Sequence, residues 1–180
     1  GASGSGKDSL MCHGRKHLSN NPNIAFAHRY ITRPANICGE NHIALSQEEF
    51  EARRTLGLFS MHWQSHCYSY GIGIEIDCWL SRGMNVVVNG SREYLNNARQ
   101  KYSGLLPVHI IVSSDVLRAR LLARGRESRA EVDARIARHL QFIGQAPDDC
   151  IEIHNNDSLA EAGEQFVRAI LEKSRRKKCA

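Results

Sequence analysis

The chain has 180 residues, of which 42% are hydrophobic and 24% charged, a balance typical of one globular domain with a buried core. Its apolar runs reach only about five residues, far below the roughly 18 of a membrane span, and no basic-then-apolar leader is visible, so we expect a cytoplasmic protein without a membrane partner. The six cysteines form no C-x-x-C pair, which is typical of reduced thiols and not of a disulfide framework.

The formal net charge of +5 arises at the C-terminal end. Without the basic tail, residues 173–180, the basic residues equal the 19 acidic ones in number. Aromatic residues make up only 7%. A nucleic-acid-binding domain usually carries its excess positive charge on a folded face beside aromatic side chains, so the sequence argues against a nucleic-acid partner. The basic residues of the tail are Lys173, Arg175, Arg176, Lys177 and Lys178.

The first seven residues follow the pattern G-x-x-x-x-G-K, the phosphate-binding P-loop. Glycines let successive backbone N–H groups turn toward an anion, and the helix that follows presents the positive end of its dipole. Lys7 can then reach the β- and γ-phosphates of a bound nucleotide. The alternative is a flexible Gly/Ser-rich terminus, which the lysine and a predicted helix over 7–18 disfavour. The motif consists of Gly1, Ala2, Ser3, Gly4, Ser5, Gly6 and Lys7.

Asp8 departs from the motif, which usually has Ser or Thr after the lysine. A carboxylate is a hard oxygen ligand that suits Mg²⁺, so we expect Asp8 or the neighbouring Ser9 to hold the metal, directly or through water. A P-loop also normally follows a buried central strand, whereas the sequence as given starts at the first glycine. We therefore expect that this first core strand is missing from the sequence.

The segment after the first helix predicts an inserted lobe. Residues 23–32 form a largely apolar run that predicts a strand, which ends before Pro34. The capping box Ser46–Glu49 opens a short helix. Two short strands over 56–63 and 67–72 follow, joined by a turn. We therefore predict an inserted α+β lobe outside the main sheet, over about 34–74.

Strand and helix signals alternate through the rest of the chain. The run 84–88 is apolar throughout apart from Asn85, which is typical of a parallel strand buried on both faces. Gly83 ends the helix before it, and Ser114 is the predicted N-cap of a later helix. The alternation predicts a three-layer α/β fold with a parallel central sheet. The predicted elements are a helix over 75–82, a strand over 84–88, a helix from 92 to 102, a strand over 108–112, helices over 115–123 and 130–142, a strand over 150–153 and a helix into the basic tail.

Arginines are frequent near the ends of these elements, and the planar guanidinium pairs bidentately with phosphate oxygens. Several of them lie at helical spacing from acidic residues, which is typical of solvated helix faces. Arg33, which follows a strand, and Arg124 and Arg126, on either side of Gly125, are better placed for ligand contact. We interpret these three as candidates for binding phosphate.

The residue that follows the strand over 84–88 indicates which kind of group accepts the phosphoryl group. A kinase that phosphorylates a hydroxyl usually needs a carboxylate base, whereas a phosphate acceptor is already ionised at neutral pH. For a phosphate acceptor, catalysis depends mainly on positive charge and on the positioning of the two reactants. The chain has Asn89, not an aspartate, at this strand end. Together with the arginines, this favours transfer from phosphate to phosphate.

Six segments of the chain carry a joint resemblance, namely ASGSGKDS at 2–9, HRYITR at 28–33, GENHIAL at 39–45, YGIG at 70–73, VNGSR at 88–92 and NND at 155–157. Together they resemble the ribose 1,5-bisphosphate phosphokinase family, which is similar in fold to guanylate kinases. The resemblance covers residues 1–172 and implies a P-loop kinase fold with an acceptor-binding lobe over 34–74 and an arginine-rich lid over 124–136. It also implies ATP-dependent phosphorylation of ribose 1,5-bisphosphate to 5-phospho-α-D-ribose 1-diphosphate (PRPP), in phosphonate breakdown by the carbon–phosphorus lyase pathway.

The chain is similar to guanylate kinases at the residues that hold phosphate but not at those that read the base. Arg33 matches the arginine of their phosphate clamp, and Tyr70 matches the tyrosine that holds the nucleotide monophosphate. Met61 lies where they use a glutamate to read guanine, and Ile72 lies where a serine also contacts the base. A site that must hydrogen-bond guanine cannot use Met or Ile, so the resemblance implies a sugar phosphate acceptor.

The resemblance also implies roles for individual residues. Lys7 and the loop amides bind the phosphates of ATP, and Asn155 lies near adenine. Arg33, Tyr70 and Arg92 hold the acceptor. The lid carries the arginines that close over the transferred phosphoryl group, namely Arg120, Arg124 and Arg135, with Arg126 as a further candidate for substrate contact.

Two other functions stay open at this point. One is a nucleoside monophosphate kinase of altered base preference, and the other is a non-catalytic guanylate-kinase-like binding module, although such modules typically lack the P-loop lysine. A zinc site at His62, His66 and Cys67 is disfavoured because this segment is predicted to be a strand and a turn, which do not place both histidines on one helical face. The sequence leaves open whether the chain forms a homo-oligomer.

Overall fold

Helices and strands are interspersed along the chain, and from α3 onward they alternate as the sequence predicts, except that α6 follows α5 directly. The computed structural model describes residues 1–35, 41–65, 67–125, 128–142, 144 and 149–176, without the side chains of residues 175 and 176. Within these ranges, no helix combines the length and the apolar character needed to cross a membrane. The helices are α1 Lys7–His17, α2 Gln47–Thr55, α3 Glu75–Ser81, α4 Leu95–Lys101, α5 Ser114–Arg124, α6 Arg129–Gln141 and α7 Leu159–Arg176. The strands are β1 Ile24–Phe26, β2 Arg29–Ile31, β3 Ile43–Ala44, β4 Phe59–Ser65, β5 Tyr68–Gly73, β6 Asn85–Val87, β7 Val108–Ile111 and β8 Ile151–His154.

Residues 1–14 and 104–175 form one compact unit. Its strands β7 and β8 pair in parallel, which confirms the parallel pairing predicted for the run 108–112. The start of the chain belongs to the core of this unit, because Ala2 is only 4% exposed and packs with side chains of α5 and α6. The Gly/Ser-rich segment is therefore an ordered loop and not a flexible terminus. The core cluster consists of Ala2, Val112, Leu117, Leu121, Val132 and Ile136.

Residues 15–103 form the second compact unit. Strands β1 and β6 pair in parallel within it. A separate four-stranded sheet has the order β3-β2-β5-β4, in which β2 and β3 are parallel and the other neighbours are antiparallel. The two strands predicted over 56–63 and 67–72 correspond to β4 and β5, so the predicted hairpin is confirmed.

The prediction of one strand over 23–32 is wrong. The segment forms two strands in two different sheets, β1 beside β6 and β2 beside β5. The Ala27 N–H still donates to the Val87 carbonyl at 3.0 Å, and from Arg29 onward the chain pairs with β5 instead. The apolar run does not reveal this exchange of partners, because strand pairing is set by residues that are distant in the sequence.

Strand β6 departs from the burial predicted for the run 84–88. Its three residues, Asn85–Val87, are all half-buried and not enclosed on both faces. Among the described residues, β6 has hydrogen-bonded neighbours in β1 alone. An apolar run therefore predicts the strand correctly here but not the extent of its burial.

Serine hydroxyls cap four of the described helices, and the one before α7 is Ser158, which accepts from the Glu161 N–H at 3.1 Å. The hydroxyl of Ser46 accepts from the Glu49 N–H at 3.1 Å, as predicted for α2. For α5 the cap is Ser113 and not Ser114, because the Ser113 hydroxyl accepts from the Val116 N–H. The helix α6 begins with a capping box that the sequence analysis missed, in which Ser128 and Glu131 bond each other's backbone.

A polar network ties α3 and α4 to β4 in the second unit. The Asp77 carboxylate accepts from the Ser60 hydroxyl and from the Tyr102 hydroxyl, each at 2.6 Å. The Lys101 ammonium lies 3.5 Å from the same carboxylate and donates to the Ser60 carbonyl at 2.9 Å. Burial and the bond to Asp77 raise the pKa of Tyr102 to about 12.

Candidate active site

Two glycines allow the tight turn of the loop at the start of the chain. Gly4 and Gly6 have φ angles of +90° and +91°, a backbone conformation that residues with a side chain rarely adopt. A Cβ on Gly6 would clash with Nδ2 of Asn155, so a side chain has no room there. The loop leads directly into α1, where the Leu10 N–H donates to the Gly6 carbonyl at 2.9 Å. A glycine loop at the N-terminus of a helix is the arrangement that binds phosphate through backbone N–H groups.

Lys7 lies over this loop. Its Nζ donates to the carbonyls of Gly1 and Ala2, at 2.9 and 2.5 Å. The side chain is half-buried, so the ammonium is held close to the loop backbone and not extended into solvent. This position agrees with the P-loop motif, and the contact of Lys7 with ATP stays a prediction.

Asn155 supports the loop from the end of β8. Its side chain is 2% exposed, and Nδ2 donates to the carbonyl of Ser5 at 2.7 Å. Ser5 is itself completely buried. The structure therefore places Asn155 against the backbone of the P-loop, a contact that the sequence analysis missed. The predicted proximity of Asn155 to adenine stays a prediction.

Asp8 and Ser9 both lie in the first turn of α1, directly after Lys7, and both are exposed. They offer a carboxylate and a hydroxyl, which are oxygen donors of the kind that Mg²⁺ takes. A negative side chain in the first turn is also favourable to the helix dipole. The chemistry and exposure of these residues fit the predicted metal role, which stays a prediction.

The predicted lid arginines lie on α5 and α6. Nη1 of Arg135 donates to the hydroxyl of Ser3 at 2.7 Å, so α6 brings one of them to the P-loop. Arg120 and Arg124 are four residues apart on α5 and therefore share a helix face. The buried Nη1 of Arg120 has no hydrogen-bond partner in the described part of the chain. Arg126 lies outside the described residues.

Tyr70 lies in the second unit, in a stack of aromatic and cationic side chains. It is 8% exposed and is the cross-strand partner of Trp63, with ring centroids 5.6 Å apart and ring planes within 3°. The Arg29 guanidinium lies 5.3 Å from the centre of the Tyr70 ring, and Trp63 also packs on Tyr94. Trp63 and Arg29 thus set the orientation of Tyr70. Local sequence patterns do not predict these contacts, because they depend on strand register.

Arg33 and Arg92 lie in the same unit as Tyr70, and both are half-buried. The backbone is held at each position. The Arg33 carbonyl accepts from Nε2 of His42 at 3.0 Å, and the Arg92 carbonyl accepts from the Leu95 N–H at 3.2 Å. Their predicted contact with the acceptor stays a prediction.

Met61 and Ile72 are direct partners in the β4·β5 register. They are 6% and 0% exposed, so both side chains belong to the packed interior of the sheet. Neither offers a polar atom that could replace the guanine contacts of a glutamate and a serine. The burial agrees with the predicted loss of guanine recognition.

His28 is a well-connected residue to which the sequence analysis assigned no role. Its Nε2 lies 3.1 Å from Nη1 of Arg15, which donates to it, and 3.1 Å from Nδ2 of Asn41. Burial, and then the charge of Arg15, lower the pKa of His28. Arg15 also donates to the Ala27 carbonyl at 3.1 Å. A neutral His28 therefore helps to hold the chain where it passes from β1 to β2.

The fold resembles that of a solved guanylate kinase from Anaplasma phagocytophilum. The TM-score is 0.62, the alignment covers 93% of this chain and 79% of that one, and the identity is 17%, a level at which the likeness concerns the fold alone. No protein-family model matches the chain. The chain therefore has a guanylate-kinase-like fold with a P-loop, a glycine loop that carries a lysine at the start of a helix.

Relatives of the chain narrow this class to one family. It is 52% identical over 171 residues to the ribose 1,5-bisphosphate phosphokinase PhnN of Thiobacillus denitrificans, which covers 94% of this chain and 89% of the relative. Proteins of the same name from Desulfomicrobium baculatum and Pantoea vagans are 51% and 50% identical and each cover 96% of this chain, with 91% and 94% of their own lengths matched. The chain belongs to the ribose 1,5-bisphosphate phosphokinase family.

Proposed function

We propose that the chain transfers the γ-phosphoryl group of ATP to ribose 1,5-bisphosphate and so forms PRPP and ADP. The observation that carries this proposal is an ordered P-loop with Lys7 lying over it, in a chain about half identical along its length to proteins named for this activity. We place the reaction in the cytoplasm and in phosphonate breakdown by the carbon–phosphorus lyase pathway.

The chemistry needs no general base. A phosphate monoester loses its second proton with a pKa of about 6, so the 1-phosphate of the acceptor is largely a dianion at neutral pH. One of its oxygens attacks the γ-phosphorus as the bond to the β,γ-bridging oxygen breaks, and ADP leaves. The obstacle is repulsion between two polyanions, which positive side chains and correct positioning offset. We assign the neutralising role to Lys7, Arg120, Arg124 and Arg135.

Mg²⁺ is the metal that the proposal includes. Asp8 and Ser9 would hold it, directly or through water, since both are exposed oxygen donors in the first turn of α1. When bound, Mg²⁺ supplies charge neutralisation on the phosphates. The test of the Asp8 role is the Mg²⁺ requirement of Asp8→Ser and Asp8→Ala, because an unchanged requirement in both variants contradicts it.

The acceptor is assigned to the second unit. Arg33 and Arg92 would pair with its phosphates, and Tyr70 would contribute its hydroxyl. Arg126, which lies outside the described residues, stays a further candidate for substrate contact. The support for a sugar phosphate over a purine nucleotide is the pair of buried apolar residues Met61 and Ile72.

The experiment that tests this function is a parallel assay of the purified chain with ATP and Mg²⁺. Ribose 1,5-bisphosphate, GMP, AMP and UMP are offered separately, and products are identified by phosphorus NMR. We expect PRPP from the sugar and no turnover of the nucleotides. Turnover of a nucleotide without the sugar would make the chain a nucleoside monophosphate kinase, and ATP binding without any turnover would make it a binding module.

A Lys7 variant with a matched control tests the role of the P-loop lysine in that assay. Lys7→Ala should lower kcat by roughly 100- to 1,000-fold, because it removes a preorganised positive charge from the transferred group. Lys16→Ala changes an exposed lysine of the same helix and should leave kcat unchanged. Equal activity of the two variants would contradict the role of Lys7.

A further inference from the structure

Three metal-ligating side chains converge on one face of the β7·β8 pair. His109 of β7 is the direct cross-strand partner of Glu152 of β8. Cys150 lies two residues before Glu152, so alternation along the strand places it on the same face. The imidazole nitrogen, the thiol sulfur and the carboxylate oxygen all lie within 4.8 Å of one another.

We propose that His109, Cys150 and Glu152 bind a Zn²⁺ ion. Imidazole, thiolate and carboxylate are the three ligand types that Zn²⁺ uses, and a tetrahedral site places its ligands about 3.5 Å apart. The observed limit of 4.8 Å is wider than that value, so the proposal requires the three side chains to move closer together when the ion binds. On binding, the thiol gives its proton to solvent and the sulfur bonds the metal as a thiolate. A water molecule completes the tetrahedron, since Glu152 is exposed.

The mixed set of nitrogen, sulfur and oxygen ligands does not suit Mg²⁺, the metal expected at the P-loop. Mg²⁺ and Ca²⁺ are hard cations that take oxygen ligands, whereas a site with one sulfur and one imidazole suits Zn²⁺. The two metal roles of the chain are therefore chemically separate, with oxygen donors on α1 and mixed donors on β7·β8.

The position of the site connects it to the P-loop through the backbone. Ile110, next to His109, contacts the start of the loop, because a Cβ on Gly1 would lie 2.6 Å from the Ile110 carbonyl oxygen. Asn155, which holds Ser5, follows the last residue of β8. A metal that joins β7 to β8 binds the folded pair more tightly than the unfolded chain and so stabilises the strands that support the loop.

The first experiment measures metal binding without ATP, which would itself chelate the ion. Zn²⁺ is titrated into the whole chain against a chromogenic chelator, and Co²⁺ serves as the optical probe. We expect one ion per chain and a thiolate-to-Co²⁺ charge-transfer band. Cys150→Ser should abolish the band, and His109→Ala and Glu152→Gln should each weaken binding roughly tenfold or more. Cys78→Ser and His62→Ala change exposed residues and should bind as the parent chain does.

The second experiment needs no variant, so a folding defect does not affect it. Zn²⁺ should slow the alkylation of Cys150 by iodoacetamide and leave that of Cys78 unchanged, as read by peptide mass spectrometry. Equal labelling of Cys150 with and without Zn²⁺ overturns the proposal. So does binding that survives Cys150→Ser unchanged, or a Co²⁺ spectrum without a thiolate band. Circular dichroism of each variant separates lost ligands from lost structure.

Discussion

The side chain of Asn155 holds the P-loop by a hydrogen bond to the carbonyl of Ser5, 2.7 Å from donor to acceptor, and both residues are buried. Asn155→Ala removes the donor and leaves a buried carbonyl unsatisfied, which costs about 1–3 kcal/mol of the free energy of unfolding. Because the loop is then held less firmly, we expect kcat/KM for ATP to fall roughly tenfold or more. Urea unfolding and steady-state kinetics measure the two effects.

The matched control is Asn97→Ala, which changes an exposed asparagine of α4 and should alter neither quantity. A stable Asn155→Ala chain with the parent's affinity for ATP would mean that the hydrogen bond has no part in shaping the loop.

Position 6 requires glycine for two reasons, the positive φ angle of the backbone and the close approach of Asn155. Gly6→Ala places a methyl group against Asn155 at a φ of +91°, so we expect a loss of about 1–3 kcal/mol in the free energy of unfolding and little ATP binding. The double variant Gly6→Ala with Asn155→Ala removes the clash but not the backbone strain, so the two losses should not add. Gly104→Ala, which has open space around its Cβ, is the control. Additive losses in the double variant would show that the clash is irrelevant.

Local signals predicted most of the fold. The P-loop, the Ser46 cap and the hairpin over 56–72 depend on neighbouring residues, and the structure has them where the sequence indicates. The misses depend on distant partners. The exchange of sheets at His28 and the stack of Trp63 on Tyr70 follow from strand register, which a single sequence does not reveal. For the same reason, His109 and Cys150 give no recognisable spacing, because 40 residues separate them in the chain.

Trp63 positions Tyr70 through a parallel ring stack with centroids 5.6 Å apart. Trp63→Leu keeps an apolar side chain but removes the stack, which is worth about 0.5–1.5 kcal/mol beyond buried area. If Tyr70 holds the acceptor, KM for ribose 1,5-bisphosphate should rise several-fold while KM for ATP stays constant, and Trp63→Phe should restore most of the loss. Trp79→Leu is the control, since Trp79 is a half-buried residue of α3. A rise in both KM values would indicate a general structural role for Trp63.

Asp77 should make the free energy of unfolding depend on pH in the acidic range. Burial raises the pKa of this carboxyl, but hydrogen bonds from Ser60 and Tyr102 and the charge of Lys101 outweigh it, so the net shift is downward. A pKa lower in the folded than in the unfolded chain gives stability that is present above the unfolded pKa of about 3.9 and is lost as the pH falls through the folded pKa. Asp77→Asn should therefore cost roughly 1 kcal/mol at pH 7, a modest value because the carboxylate is partly exposed.

Below the folded pKa the protonated Asp77 resembles asparagine in charge, so the difference in unfolding free energy between the parent chain and Asp77→Asn should shrink toward zero. Urea unfolding at a series of pH values from 7 to below 3 measures this difference directly. Glu164→Gln, which neutralises an exposed acid on α7, controls for the change in net charge. A gap that stays constant across the series would mean that the bonds from Ser60 and Tyr102 do not distinguish the ionised from the protonated carboxyl.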